Sequence, residues 1–382
     1  MKIKWTHSKT IFFGVLLNIV FAVYAPIVKS FEISSPCAVL MEQSTGQILF
    51  EKNSHDVKYA ASLMKIMNLL LAMEAIDSKK ISEKDTVSIS DNAASAEGAD
   101  VWLKSGENIS VEDLIKSVAI ASANDASKAL AEHISGSEGK FISLSNQRAA
   151  QLGMKETIFK DCVGSDEDGN VTSAYDVALM SKELMNHKKI IPYTSTWIDH
   201  IRGGQTQIVN TNKLIKSCQG TLGIKTGTSD KAKSCISSAC QRDGMVLIGV
   251  ILGCENPKER FKEMENLLTY GFSEYTTVKP QIPENMVENV KVQNGMMGEV
   301  GVTASIDSEI LVPKSKQNSI KSEIKINEEI IAPIKEGDVL GKIVYTLDGN
   351  TISECDILSD TDVEEISFKS VFKAMFLELI RL

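Results

Sequence analysis

Ser62-Leu63-Met64-Lys65-Ile66-Met67-Asn68-Leu69-Leu70-Leu71-Ala72-Met73-Glu74-Ala75-Ile76 is the stretch that decides how the chain is read. Ile66, Leu69, Leu70, Met73 and Ile76 recur at spacings of three and four, the period of a helix with one apolar face. Ser62 opens that helix, and Lys65, three positions on, falls on the same face, close enough to interact. A serine hydroxyl is a poor nucleophile until a base takes its proton. A lysine can be that base when burial and a neighbouring cation destabilise its ammonium form. Backbone N–H groups at the helix N-terminus would favour an oxyanion developing beside Ser62. Alone, the tetrapeptide carries little weight, because Ser62 would serve equally as an N-cap and Lys65 as a solvated charge.

Outward from this helix the elements alternate in type. Upstream, Cys37–Glu42 and Gly46–Glu51 read as short strands around a Ser44-Thr45-Gly46 turn. Downstream, Val111, Leu114 and Val118 mark a helix, Ala126–Leu152 is helical with a break at Gly136–Gly139, and Ala174–Asn186 is helical again. Asp161–Thr172, rich in Asp, Gly and Ser, is a loop. Leu222–Gly253 reads as buried strands around an Arg242-Asp243-Gly244 turn, and Phe261–Phe272 as a helix. Strands at both ends with helices between predict one α+β domain, its terminal strands joined in a single antiparallel sheet flanked by helices.

Beyond Val278 the pattern changes. Pro280, Pro283, Pro313 and Pro333 punctuate short alternating segments, among them Ile320–Ile326 and Lys342–Leu347, the latter closed by an Asp348-Gly349-Asn350 turn. This is a small β-rich domain. At the C-terminus Phe368, Val371, Phe372, Met375, Phe376, Leu379 and Ile380 recur at helical spacing, while Lys369, Lys373 and Arg381 outnumber Glu378. Such an amphipathic helix suits the interface of an anionic membrane; the other reading docks it on the β-rich domain. The expected segments are 1–30, 31–276, 277–365 and 366–382: export signal, catalytic domain, β-rich domain and anchoring helix.

The chain has 382 residues, 43% of them hydrophobic, with 41 Lys+Arg against 50 Asp+Glu and a net charge of −9. That is a folded protein of two or three domains, and its acidic balance argues against nucleic acid as a partner. Lys2, Lys4 and Lys9 precede an apolar run from Ile11 to about Ala25, the grammar of a secretory signal or of an uncleaved anchor. Either exports the bulk of the chain. Seven cysteines include no CxxC pair, which excludes a zinc ribbon, and five histidines stand isolated without metal-ligand spacing, so no metal is expected.

Two further motifs accompany the first. In Ser122-Ala123-Asn124 a hydroxyl could pass protons beside the lysine and an amide could hydrogen-bond a peptide carbonyl. In Lys225-Thr226-Gly227 a lysine and a hydroxyl could hold a carboxylate, with Gly227 letting the backbone approach the substrate. In this order the three match the signature of penicillin-recognising serine enzymes. Ala121–Ala126, Thr172–Asp176, Asn210–Leu214 and Arg242-Asp243-Gly244 narrow the resemblance to the low-molecular-weight D-alanyl-D-alanine carboxypeptidases, peptidase family S11, over about Phe31–Phe272 and more loosely to the C-terminus.

The resemblance implies a β-lactamase/DD-peptidase-like fold and attack by Ser62 on the bond between the two terminal D-alanines of a peptidoglycan stem peptide. It implies that Lys65 takes the serine proton and Ser122 relays it, that Asn124 orients the substrate amide and Lys65, and that Lys225 and Thr226 bind the terminal carboxylate. Repulsion from Lys225 would help keep Lys65 neutral, and the N–H groups of Ser62 and Thr228 would form the oxyanion hole. β-Lactam antibiotics would acylate the same serine, and the enzyme would sit on the outer face of the cytoplasmic membrane. Ala60, Met64, Leu222 and Cys162-Val163-Gly164-Ser165 depart from the family pattern without removing a catalytic atom. A class A β-lactamase would need a Glu-x-x-Leu-Asn segment, which does not occur. A silent binding module would usually lack Ser62, Lys65 or Lys225.

Overall fold

Hairpins build the sheet that carries the site. In a computed structural model, which describes residues 31–166, 169–306 and 309–381, strands β1 (Cys37–Glu42) and β2 (Ile48–Lys52) pair with Leu40 opposite Phe50. Strands β3 (Thr221–Ser229), β4 (Lys233–Arg242) and β5 (Met245–Cys254) form a meander. Asp243 (φ 48°) and Gly244 (φ 87°) make its second turn, both left-handed, as a two-residue hairpin loop demands. β1 then pairs with β5, Val39 opposite Val250, and the order is β2-β1-β5-β4-β3, antiparallel throughout. The expected union of the terminal strands is therefore met. The expected export signal lies outside the described residues.

Alternation along β1 separates two faces. Cys37, Val39 and Met41 join the large helical core, whereas Leu40 lies against Gly271 of helix α5 (Glu259–Glu274). Helix α1 (Lys65–Asp77) is the centre of the other layer, packed by α2 (Asn124–Ser135) and α4 (Ala174–Asn186), with α3 (Glu138–Gln151) against α2. The sequence predicts one apolar stripe on α1, but every residue from Lys65 to Met73 is buried. Polar Asn68 is accommodated because its amide donates to Ser127 Oγ at 2.7 Å on α2. The break between α2 and α3 falls at Gly136 (φ 81°), as the sequence suggests.

The C-terminal part is β-rich. β6 (Tyr275–Val278) pairs with β9 (Ile310–Pro313). Strands β7 (Asn289–Lys291), β8 (Glu299–Ala304), β10 (Lys321–Ile326), β11 (Val339–Leu347) and β12 (Asn350–Ser359) form a sheet of order β7-β8-β12-β11-β10. Asp348 (φ 52°) and Gly349 (φ 83°) turn β11 into β12. Helix α6 (Phe368–Arg381) follows, with Phe368, Phe372, Met375, Phe376 and Ile380 exposed. Among the described residues no helix is long and apolar enough to cross a membrane.

Candidate active site

Ser62 sits in a tight 3-10 turn, Ala61–Met64, that feeds α1. It makes no capping bond, so it is not the N-cap of that helix. Ala61 just before it holds φ 48°, a left-handed value costly for a residue with a Cβ and sustained only by its surroundings. Those surroundings are glycines. A Cβ on Gly164 would lie 2.1 Å from Ala61 O, and one on Gly227 of β3 would lie 2.5 Å from Ala60 O and 3.2 Å from Ser62 N. Gly227 thus admits the turn that carries Ser62.

Lys65 is fully buried, and its Nζ lies 2.8 Å from Ser62 Oγ and 3.0 Å from Val163 O. Burial brings its pKa down to about 8, although Cys162, Asp161 and Asp125 pull the other way. Lys225, also buried, is held well below the ordinary lysine value by burial first and then by repulsion from Lys65 and Arg260. At Lys65, then, burial is the leading cause of the low value. Val163 O is fixed because Asp161 accepts hydrogen bonds from the N–H groups of Val163, Gly164 and Ser165, and from the Asn170 amide.

The second motif is placed by strained backbone. Ser117–Ala121 winds as a π-helical turn, and Ser122 follows at φ 64°. Ser122 is buried, and its hydroxyl has no hydrogen-bond partner among the described residues. Asn124 opens α2; its Nδ2 donates to Glu97 O at 2.5 Å and its N–H to Ala99 O at 2.6 Å. It fastens the loop at the cleft edge and makes no bond to Lys65. Asp125 secures the same loop by accepting from Val101 N and Leu103 N. Ser62, Asn124 and Thr228 line a common cleft of about 880 Å3. Thr226 Oγ1 donates to Thr211 Oγ1 at 2.8 Å.

One residue eluded sequence reasoning. Arg260 of α5 reaches under β3, its Nη1 donating to Gly227 O and Thr228 Oγ1 at 2.9 Å and to Cys235 O at 3.2 Å. It is buried, forms no ion pair among the described residues, and its Nε has no partner there. A lone arginine far along the chain from Lys225 carries no local signal.

Ser62 Oγ thus faces a buried lysine of lowered pKa, with a second buried lysine, Lys225, on β3. The family profile for peptidase S11, D-alanyl-D-alanine carboxypeptidase, matches residues 21–256. D-alanyl-D-alanine carboxypeptidase DacF of Bacillus subtilis is 39% identical over 340 residues, 88% of this chain and 87% of that one. The chain belongs to the D-alanyl-D-alanine carboxypeptidase family. The C-terminal domain of penicillin-binding protein 5 matches residues 275–365. Penicillin-binding protein 5 from Haemophilus influenzae superposes with a TM-score of 0.77 at 30% identity, covering 87% of this carboxypeptidase-family chain and 98% of the other. Penicillin-binding protein D2 from Listeria monocytogenes, in its ampicillin-bound form, superposes with a TM-score of 0.58 at 30% identity, over 63% and 98% of the two chains.

Proposed function

We propose that this chain removes the terminal D-alanine from peptidoglycan stem pentapeptides through an acyl-enzyme on Ser62, limiting the cross-links those peptides can form. It is a serine-type D-Ala-D-Ala carboxypeptidase, a hydrolase of the penicillin-binding group. The observation that carries the residue assignment is the 2.8 Å contact between Ser62 Oγ and a fully buried Lys65 whose pKa lies near 8. Neutral Lys65 accepts the Ser62 proton as Oγ attacks the carbonyl carbon, and Val163 O holds the resulting ammonium. The N–H groups of Ser62 and Thr228 receive the oxyanion. Ser122 carries the proton on to the departing D-alanine amine, and water then releases the shortened peptide.

Asn124 bonds the substrate amide after exchanging its contact with Glu97 O. Lys225 and Thr226 recognise the terminal carboxylate. An arriving carboxylate favours the charged form of Lys225. The repulsion between the two lysines would then bear on Lys65 and favour its neutral form, so substrate binding would complete the base. No metal or organic cofactor enters this scheme. β-Lactams are read as carboxylate-bearing mimics of the scissile bond that acylate the same hydroxyl.

Segments 31–276 and 277–365 are read as catalytic and β-rich domains, with the exported protein held peripherally at the outer face of the cytoplasmic membrane by the helix of 366–382. The exposed apolar side chains Phe368, Phe372 and Phe376 support that anchor over a docked helix. Release of D-alanine from diacetyl-lysyl-D-alanyl-D-alanine tests the activity. Wild type should release one D-alanine per peptide and Ser62→Ala none; equal release by both would overturn the reading.

A further inference from the structure

Outside the C-terminal helix, Trp102 is the most exposed large apolar side chain among the described residues, 74% open to solvent. It also holds φ 56°, a left-handed value that a residue with a Cβ adopts only at a cost. Its neighbours Val101 and Leu103 are both buried. The turn at Trp102 brings the N–H groups of Val101 and Leu103 onto one carboxylate oxygen of the buried Asp125, at 3.1 and 2.9 Å. From another part of the chain, Arg202 donates to Val101 O at 3.0 Å and to Trp102 O at 3.2 Å. Arg202 is itself held by Glu107, through Nε at 2.6 Å and Nη2 at 3.3 Å. Two charged side chains thus fix the backbone that presents the ring.

An exposed indole at such a position does little for folding, since it hides little apolar surface and a glycine would take the same φ without strain. Its place relates it to the catalytic cleft. Glu97, Gly98 and Ala99 line that cleft, and Asn124 fastens them through Glu97 O and Ala99 O. Trp102 itself stands beyond the lining, three residues past Ala99, which is at most roughly 11 Å of chain from the cleft wall. When Ser62 holds the acyl part of a stem pentapeptide, four residues lead back to the sugar that bears them, about 14 Å when extended. The peptide is long enough to bring its sugar to the rim of the cleft and short enough to keep it there. A sugar ring presents C–H groups on its faces and polar groups around its edge. An indole matches it with a flat apolar face, an N–H at its border and little conformational freedom to lose.

We propose that Trp102 is a glycan-docking residue, stacking on a sugar of the peptidoglycan strand whose stem peptide occupies the cleft. The enzyme then prefers pentapeptides carried on sugar to free ones. The inference rests on the reading of this chain as a stem-peptide carboxypeptidase. Trp102 sets specificity and touches no reacting atom. The sugar is held alike before and during acylation, so its contact with the ring lowers KM and leaves kcat unchanged.

The test uses the full-length chain in detergent and measures D-alanine release from a free stem pentapeptide and from the same peptide on its disaccharide. Wild type should favour the disaccharide-linked peptide several-fold in kcat/KM. Trp102→Ala should lower that ratio about fivefold through KM, and Trp102→Phe should keep most of it. Trp102→Ala should also melt like wild type, which a structural role for the ring would not allow. Binding is read separately in Ser62→Ala by saturation-transfer NMR. The probe is a peptide-free tetrasaccharide of alternating N-acetylglucosamine and N-acetylmuramic acid. Its ring protons should receive saturation from the protein, and a second change, Trp102→Ala, should abolish that. This arm needs no turnover: if neither peptide is cleaved but the sugar binds through Trp102, the docking site stands and the carboxypeptidase reading fails. A ratio unchanged in Trp102→Ala, or sugar contacts that persist without the ring, would overturn the proposal. So would a dimer or vesicle binding that Trp102→Ala abolishes, since the ring would then belong to a second copy or to a membrane.

Discussion

Replacing Gly227 by alanine probes the contact on which the site geometry depends. The added carbon would stand 2.5 Å from Ala60 O and 3.2 Å from both Ser62 N and Leu63 N. A carbon needs roughly 3.3 Å from a carbonyl oxygen, so β3 and the nucleophile turn must part by about 0.8 Å. Both partners are backbone, held by the β3–β4 ladder on one side and the head of α1 on the other, so no flexible side chain absorbs the shift. Overpacking of this kind costs about 1–3 kcal/mol of stability. Because the oxyanion donors proposed at Ser62 and Thr228 lie on the two parted segments, acylation should fall by about 100-fold. The assay is the second-order rate of labelling by a fluorescent penicillin, with urea melting alongside. Gly139→Ala, on α3 with open space around it, serves as the control and should leave the labelling rate unchanged. A Gly227→Ala protein that labels and melts like wild type would refute the reasoning.

Other perturbations follow from the same geometry. With Lys65 near pH 8, about a tenth of it is neutral at pH 7, so penicillin labelling should rise with pH and level off above 8; a flat profile from pH 6 to 9 contradicts a lysine base. The folded state releases this proton near 8 while the unfolded state keeps it to the ordinary lysine value near 10.5. The stability of wild type relative to Lys65→Met should therefore rise by roughly 3 kcal/mol across that window, read from urea midpoints at stepped pH. Arg260→Met removes the donors to Gly227 O and Thr228 Oγ1 and should slow labelling by about 10–100-fold, measured as above. With the N-terminal signal segment removed, deleting residues after Glu365 should leave labelling intact and abolish sedimentation with anionic vesicles; a truncated protein that still sediments, or unfolds, favours the docked helix.

Local patterns made much of this legible before the structure. Alternation at Ile324 and Ile326 and the Asp348-Gly349 turn located strands of the C-terminal sheet, and Gly136 marked the break between α2 and α3. Periodicity failed on α1, because a helix buried on every side draws its apolar residues from all round and the stripe is only the most regular part. Ser62 and Lys65 were legible as a pair because three residues of helical winding suffice to bring them together. Arg260 and the packing partner of Gly227 were not, since both depend on α5 and β3 folding against one turn from distant parts of the chain. The sequence likewise offers no sign that Asn124 rests on Glu97 O, for that contact exists only once the loop before Val101 is pinned by Asp125.

Mapping the covalent penicillin adduct tests the central claim most directly. Wild-type protein incubated with a β-lactam and digested should carry one acyl group, on the peptide that contains Ser62, and Ser62→Ala should carry none. An adduct on any other residue, or an adduct that survives in Ser62→Ala, would contradict the account.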